Sequence, residues 1–380
     1  MRMLLMMFCF AAGCGAGRTP APDAQGTAGI DSEQVASGAR TAETKEVAEP
    51  PRRRSEPLPR APLPEGIQRF DKDVITLALS GDGKFLVGGD LAGQALLWDL
   101  KARHYLWADP TPENGRIGRV AMSEVGGVYV AGAFEEPDRP MRAWAADKPE
   151  RRGVYGAERA IAIDVAINAD GRFAALLSST KEGDKQRVSL WEVGKDTPLF
   201  DMDVPQARVG AVAIDAEGGL VAVADDLGGV SLYGRDGTRQ DLNARTPEAM
   251  TGRFSRLAFG PLAKGDAGPK GQLWAARGNQ VTAFPIGGGD GKAEAPIADS
   301  APVRGLHRMS DGRIVAVTRP ESGGLALFST DGVRIGVLDA GCRCETHALA
   351  SGGTMAACGC TPSSEVRYGA PRWTDKEAPR

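Results

Sequence analysis

The chain has 380 residues, 50 of them Gly against a usual share of ~7%, and its Gly plus Pro content stays below that of a wholly disordered polypeptide. Many short strands joined by many tight turns have this composition. A net charge of −3 supplies no basic field for a phosphate backbone, which sets nucleic-acid binding aside. Of the six Cys, two lie in the first 14 residues and four between 342 and 360.

Residues 1–14 read MRMLLMMFCFAAGC: a basic residue, an apolar run from Met3 to Phe10, then small residues. This is the layout of an export signal, and the run is too short to span a bilayer as a helix. Ala11-Ala12-Gly13-Cys14 resembles the lipobox of bacterial lipoprotein signals, with Ala11 where Leu is usual. The resemblance implies lipidation at Cys14, a membrane anchor and, with Gly15 following, an outer-membrane address in the cell envelope. Residues 15–65 hold eight Pro and no aromatic residue, so they are expected to form a disordered tether with a reach on the order of 40 Å.

From Gly66 three marks recur together. The first is an apolar-Ala-apolar strand: Leu77-Ala78-Leu79, Val120-Ala121-Met122, Val165-Ala166-Ile167, Val212-Ala213-Ile214 and Leu257-Ala258-Phe259, with looser copies at 306–309 and 347–349. The second is a turn glycine: Gly83, Gly126, Gly171, Gly218, Gly271, Gly312 and Gly353. The third is an aromatic late in the unit: Trp98, Trp144, Trp191, Tyr233, Phe284, Phe328 and Tyr368, spaced 46, 47, 42, 51, 44 and 40 residues apart. Propeller blades of four strands repeat at about 40 to 50 residues, while helical repeats are shorter. The expectation is an all-β, seven-bladed β-propeller of four-stranded antiparallel blades over 66–373, with a tail at 374–380. Because little chain follows Tyr368, the stretch at Ile67 and Phe70 is expected to complete the last blade and close the ring. The seven aromatics are read as packing between blades.

The segment Ser80 to Leu100, with its Ser-Gly-Asp-Gly turn, Asp90 in the next turn and the ending Leu97-Trp98-Asp99, resembles the WD-repeat propeller family. Ser189-Leu190-Trp191-Glu192 is a weaker echo, and the family's Gly-His pair is absent from every unit. The resemblance implies a platform that holds other proteins.

Cys342-x-Cys344 and Cys358-x-Cys360 stand on the first two strands expected for blade seven. A hairpin turning at 350–352 sets Cys344 opposite Cys358 and Cys342 opposite Cys360, gathering four thiols in one patch. Two disulfides suit an exported chain, although four Cys allow three pairings; a zinc site with His347 as an extra ligand is the rival. His104 and His307 lie in no catalytic pattern. Gly287 to Lys292 imitates a phosphate loop but lacks its first glycine and its Ser or Thr, so it is read as a connector between blades five and six.

Recognition is expected on long loops gathered at one rim: Phe134 to Arg142, carrying Glu135, Glu136, Asp138, Arg139 and Arg142; Ser178 to Arg187, carrying Lys181, Glu182, Asp184 and Lys185; and Pro261 to Lys270. The leading expectation is a monomeric, non-catalytic, lipid-anchored scaffold in the bacterial envelope that binds envelope proteins and needs no cofactor. Two alternatives remain open: an enzyme hydrolysing or cleaving a glycan with acidic side chains at the central channel, and a redox or metal sensor built on the Cys patch.

Overall fold

The computed structural model describes residues 67–69 and most of 73–374, leaving out several connecting stretches, among them 111–115, 135–139, 181–184, 205–208 and 243–254. The described residues form seven antiparallel sheets, five built from consecutive strands alone and two that also take a strand from a chain end, and the sheets form a propeller ring. Blade one runs Val74–Leu79, Phe85–Asp90, Gln94–Asp99 and His104–Pro110. The inner strands of blades two to seven are Arg116–Met122, Ala160–Ile167, Val209–Ile214, Arg256–Gly265, Val303–Arg308 and Arg343–Leu349. The anchor and tether, including Cys14, lie outside the described residues, as does Phe70.

A single device shapes the turn after most inner strands. Gly83, Gly126, Gly171, Gly218, Gly312 and Gly353 take φ between 67° and 86°, the left-handed region that other residues enter at a cost. Three residues before four of these glycines, a polar side chain accepts the N–H that starts the next strand: Ser80 from Phe85 at 2.9 Å, Ser123 from Val128 at 3.1 Å, Asn168 from Phe173 at 2.8 Å and Asp215 from Leu220 at 2.7 Å. Backbone bonds then tie one turn to the next. Gly352 N donates to Gly81 O, Gly81 N to Glu124 O, Val125 N to Ala169 O and Ala169 N to Ala216 O, joining blade seven to one and onward to four.

Blade five departs from this pattern. Its first two strands are ten residues each, Arg256–Gly265 and Gly268–Arg277, so Pro261 to Lys270 is a prolonged hairpin rather than a loop. Gly271 is accordingly a strand residue opposite Leu262 and not the turn glycine expected of it. Strand Ala293–Pro296 pairs with Gln280–Ile286, so the stretch after Gly287 joins two strands within blade five instead of linking blades five and six.

Ring closure follows the sequence expectation. Ile67, Gln68 and Arg69 pair with Arg367, Val366 and Glu365, supplying the outer strand of blade seven. A chain beginning at Asp71 is expected to melt a few degrees below one beginning at Arg60, a loss of about 1 to 2 kcal/mol that differential scanning calorimetry resolves. Equal melting temperatures would refute the closure. A second latch was not foreseen: Arg372–Trp373 forms a fifth strand on blade six, opposite Val337 and Gly336, and the Trp373 indole donates to Gly353 O of blade seven at 3.0 Å.

The aromatics fill the blade interfaces. Trp98, Trp144, Trp191, Tyr233, Phe284 and Phe328 are almost fully buried, each in a cluster shared with the preceding blade. Tyr368 differs. It is opposite Ala357, and both lie at the interface of blades seven and one, whereas Cys358 beside it faces blade six. A one-residue offset along a strand turns a side chain to the other face of the sheet, and this accounts for the difference. Between blades six and seven its place is taken by the cysteines and Trp373.

Candidate functional site: the central channel

The inner strands carry a second repeated irregularity. Six of them break register near their start, between Val74 and Thr76, Ile117 and Arg119, Ala162 and Asp164, Val209 and Ala211, Val303 and Gly305, and Cys344 and Thr346. Each extra residue is a β-bulge, which re-aims its neighbours. In these six strands the residue after the bulge stands immediately before the repeated triplet, and with Arg256 at the equivalent place in blade five the position reads Thr76, Arg119, Asp164, Ala211, Arg256, Gly305 and Thr346 around the ring.

All of these except Ala211 line one cavity of about 300 Å³, together with Arg304, Arg319, Glu345, His307 and His347. Four arginines therefore meet two carboxylates. Asp164 is bridged to Arg119 at 3.4 Å and accepts Val212 N at 3.0 Å; Glu345 is paired with Arg319 at 3.7 Å. Thr76 accepts Val120 N at 3.2 Å, as Asp164 does from Val212, so this position also staples blade one to two and blade three to four. Arg319 Nη1 donates to the carbonyls of Cys344 and Glu345, tying blade six to seven.

Burial sets the electrostatics. Desolvation pushes the Asp164 carboxyl up, opposed by Arg119 and Arg256. It pulls Arg256 down against the attraction of Asp164, with Arg119 and Arg304 repelling as well, and it pulls Arg319 down with Arg304 adding to the effect. A guanidinium stays charged under such shifts. The imidazoles do not: His307 is partly exposed to the channel but deep within it, and desolvation with Arg256 nearby lowers it to about 4. His347 is lowered well below the usual value by desolvation, then His307 and the arginines. Both are neutral at pH 7.

The two rings meet edge to face, centroids 5.5 Å apart. Their Nε2 atoms converge on Gly305, where an added Cβ would lie 2.7 Å from His307 Nε2, so only glycine leaves room for both. His307 occupies the position that is Ala78, Ala121, Ala166, Ala213, Ala258 and Ala348 in the other blades. It separates the charged cavity from a second one of about 310 Å³, lined by Leu77, Leu79, Met122, Val165, Ile167 and others, toward the rim of the inner-strand turns.

The four Cys are joined as Cys342 to Cys360 and Cys344 to Cys358. The expected register is not the observed one. Cys344 is opposite Cys360 and His347 opposite Cys358, because Glu345 is the bulge residue, and the disulfides run diagonally. With the thiols bonded in pairs no thiolate remains for zinc, although Cys342, Cys344 and Cys358 lie close enough together to hold an ion if reduced. His347 looks into the channel cavity, beside His307.

The candidate loops fare unevenly. Glu135, Glu136, Asp138, Arg139, Lys181, Glu182 and Asp184 lie outside the described residues. Arg142 is 4% exposed in strand Met141–Ala145 and belongs to the interior rather than to a recognition loop. Lys185 is exposed. His104 lies on the outer strand of blade one, away from the channel-lining strands. By strand direction, Val128–Phe134 and Phe173–Thr180 end at the rim where inner strands begin, the rim of the arginines, and Lys185 stands there. The blade-five hairpin projects from the opposite rim, so it does not share a surface with Lys185.

In comparisons with known proteins, no family model and no curated protein matches this chain.

Proposed function

We propose that the protein is a non-catalytic binding platform: a WD-repeat-like propeller, exported and held by a lipid at Cys14 in a bacterial envelope, that engages an envelope protein at the rim where its inner strands begin. The observation carrying this reading is the channel mouth. It is dominated by arginines, and its two carboxylates are each engaged by one of them, whereas glycan hydrolysis needs a pair of carboxyl groups free to act on opposite sides of a bond. Ligand recognition in ring folds draws on the rim and the channel opening, and here the rim at which the second strands of blades two and three end also holds the charge cluster.

The test is photocrosslinking in the intact envelope. A crosslinker at Lys185, on the proposed rim, is expected to capture a defined protein that one at exposed Val333, on the opposite rim, does not. Capture from neither position, or equally from both, refutes the reading. In the same cells Cys14→Ser is expected to move the protein out of the membrane fraction.

A further inference from the structure

Positive charge in the channel is only half neutralised by the protein itself. Arg119 has Asp164, Glu345 is shared between Arg319 at 3.7 Å and Arg343 at 3.3 Å, and Arg256 and Arg304 have no carboxylate of their own among the described residues. Arg256 is half-buried and hydrogen-bonds only to the carbonyl of its neighbour Ser255, at 2.6 Å. Arg304 is the bulge residue of blade six, exposed at the mouth, and has no hydrogen bond or ion pair among the described residues. His307 Nε2 lies buried in the same cavity without a hydrogen-bond partner. Unpaired charge inside a folded protein is costly, and a low-dielectric cleft lined by one sign concentrates its field on ions of the other sign. In a chain whose net charge is −3, this concentration of arginine is local and not a reflection of composition.

We infer that the arginine layer of the channel, formed by Arg119, Arg256, Arg304 and Arg319, is an oxyanion-binding site that takes carboxylate or phosphate groups. Guanidinium is the side chain suited to this, since its planar fork matches both groups bidentately. Blades two, five and six supply the four side chains, so the site exists only in the closed ring. The cavity of about 300 Å³ accommodates a tricarboxylate or two acidic side chains and is too small for a folded element. Gly305 lets the two imidazoles close the floor beneath the arginines, and their neutrality leaves the layer's surplus charge to the guanidinium groups. The inference deepens the platform reading by giving the chemistry of what enters the channel.

Isothermal titration of the full chain with citrate, with inorganic phosphate and with a six-residue Asp peptide tests it, each at matched ionic strength. At least one probe is expected to bind with one-to-one stoichiometry. Arg304→Gln, at an exposed position, is expected to weaken binding tenfold or more, and Arg256→Gln likewise; Arg334→Gln, exposed on the opposite rim, leaves it unchanged. Preferential binding of the peptide identifies the source as an acidic segment of a partner, and preferential binding of citrate or phosphate identifies a free small anion. No binding of any probe, or binding indifferent to both arginine substitutions in variants that melt as the parent does, overturns the inference. The platform reading is tested separately: crosslinking at Lys185 that persists in Arg304→Gln preserves that reading while removing the channel from it.

Discussion

Removing both disulfides of blade seven is expected to lower stability by about 3 to 4 kcal/mol, while removing either one alone costs only about 1 kcal/mol. The bridges are nested: Cys342 to Cys360 closes a separation of 18 residues, and Cys344 to Cys358 closes 14 within it. In the chain-entropy account each bridge restricts the unfolded chain, but once one loop is closed the other's ends are already near each other, so the second adds little. The location increases the consequence. Blade seven is where the ring closes through Ile67 to Arg69, and its cysteines form part of the interface with blade six. Calorimetry of the parent, Cys342→Ser with Cys360→Ser, Cys344→Ser with Cys358→Ser, and the fourfold variant measures this, with a fall of roughly 5 to 10 °C expected for the last. Strictly additive losses would show that the bridges act through the folded state instead.

Acidification is expected to destabilise the ring through its buried imidazoles, by about 2 to 3 kcal/mol for His307. Its folded pKa is lowered to about 4, below the ~6.5 of an unfolded chain. The stabilisation is complete above pH 6.5. As pH falls from there toward 4, the unfolded chain takes up a proton that the folded protein refuses, and stability declines; below about 4 both states are protonated and the loss levels off. His347 is shifted the same way and adds to it. Asp164 acts oppositely, because burial raises its pKa and its protonation on acidification relieves an unfavourable charge. The clean readout is therefore the difference between the parent and His307→Ala, which restores the alanine of the other six blades. Chemical denaturation between pH 4 and pH 7.5 should show a shallower decline for the variant. Parallel curves would mean that His307 is solvated and titrates normally.

The repeat made the architecture readable. An apolar-Ala-apolar strand, a glycine at positive φ and an interface aromatic are local requirements of every blade, so each copy wrote the same demand into the chain. Blade five broke the pattern because a longer hairpin moves its turn and leaves Gly271 in a strand. Tyr368 broke it because strand faces alternate, and spacing along the chain does not show which face an offset residue will take. The channel residues Thr76, Arg119, Asp164, Arg256, Gly305 and Thr346 stand directly before the repeated triplets, at a position where the copies differ, so periodicity does not mark them.

Blade number, the closing strand and the gathering of four cysteines are legible in the primary structure, since each depends on local periodicity or on the count of residues available. Folding in three dimensions is what brings Arg119, Asp164, Arg256, Arg304, Arg319 and Glu345 into one cavity and makes His307 and His347, 40 residues apart, meet over Gly305. Bulges in blades two, three, six and seven re-aim side chains of the inner strands, and ring closure alone brings blades two, three, five, six and seven around a common axis. Charge becomes a site only when distant positions are placed within reach of one another.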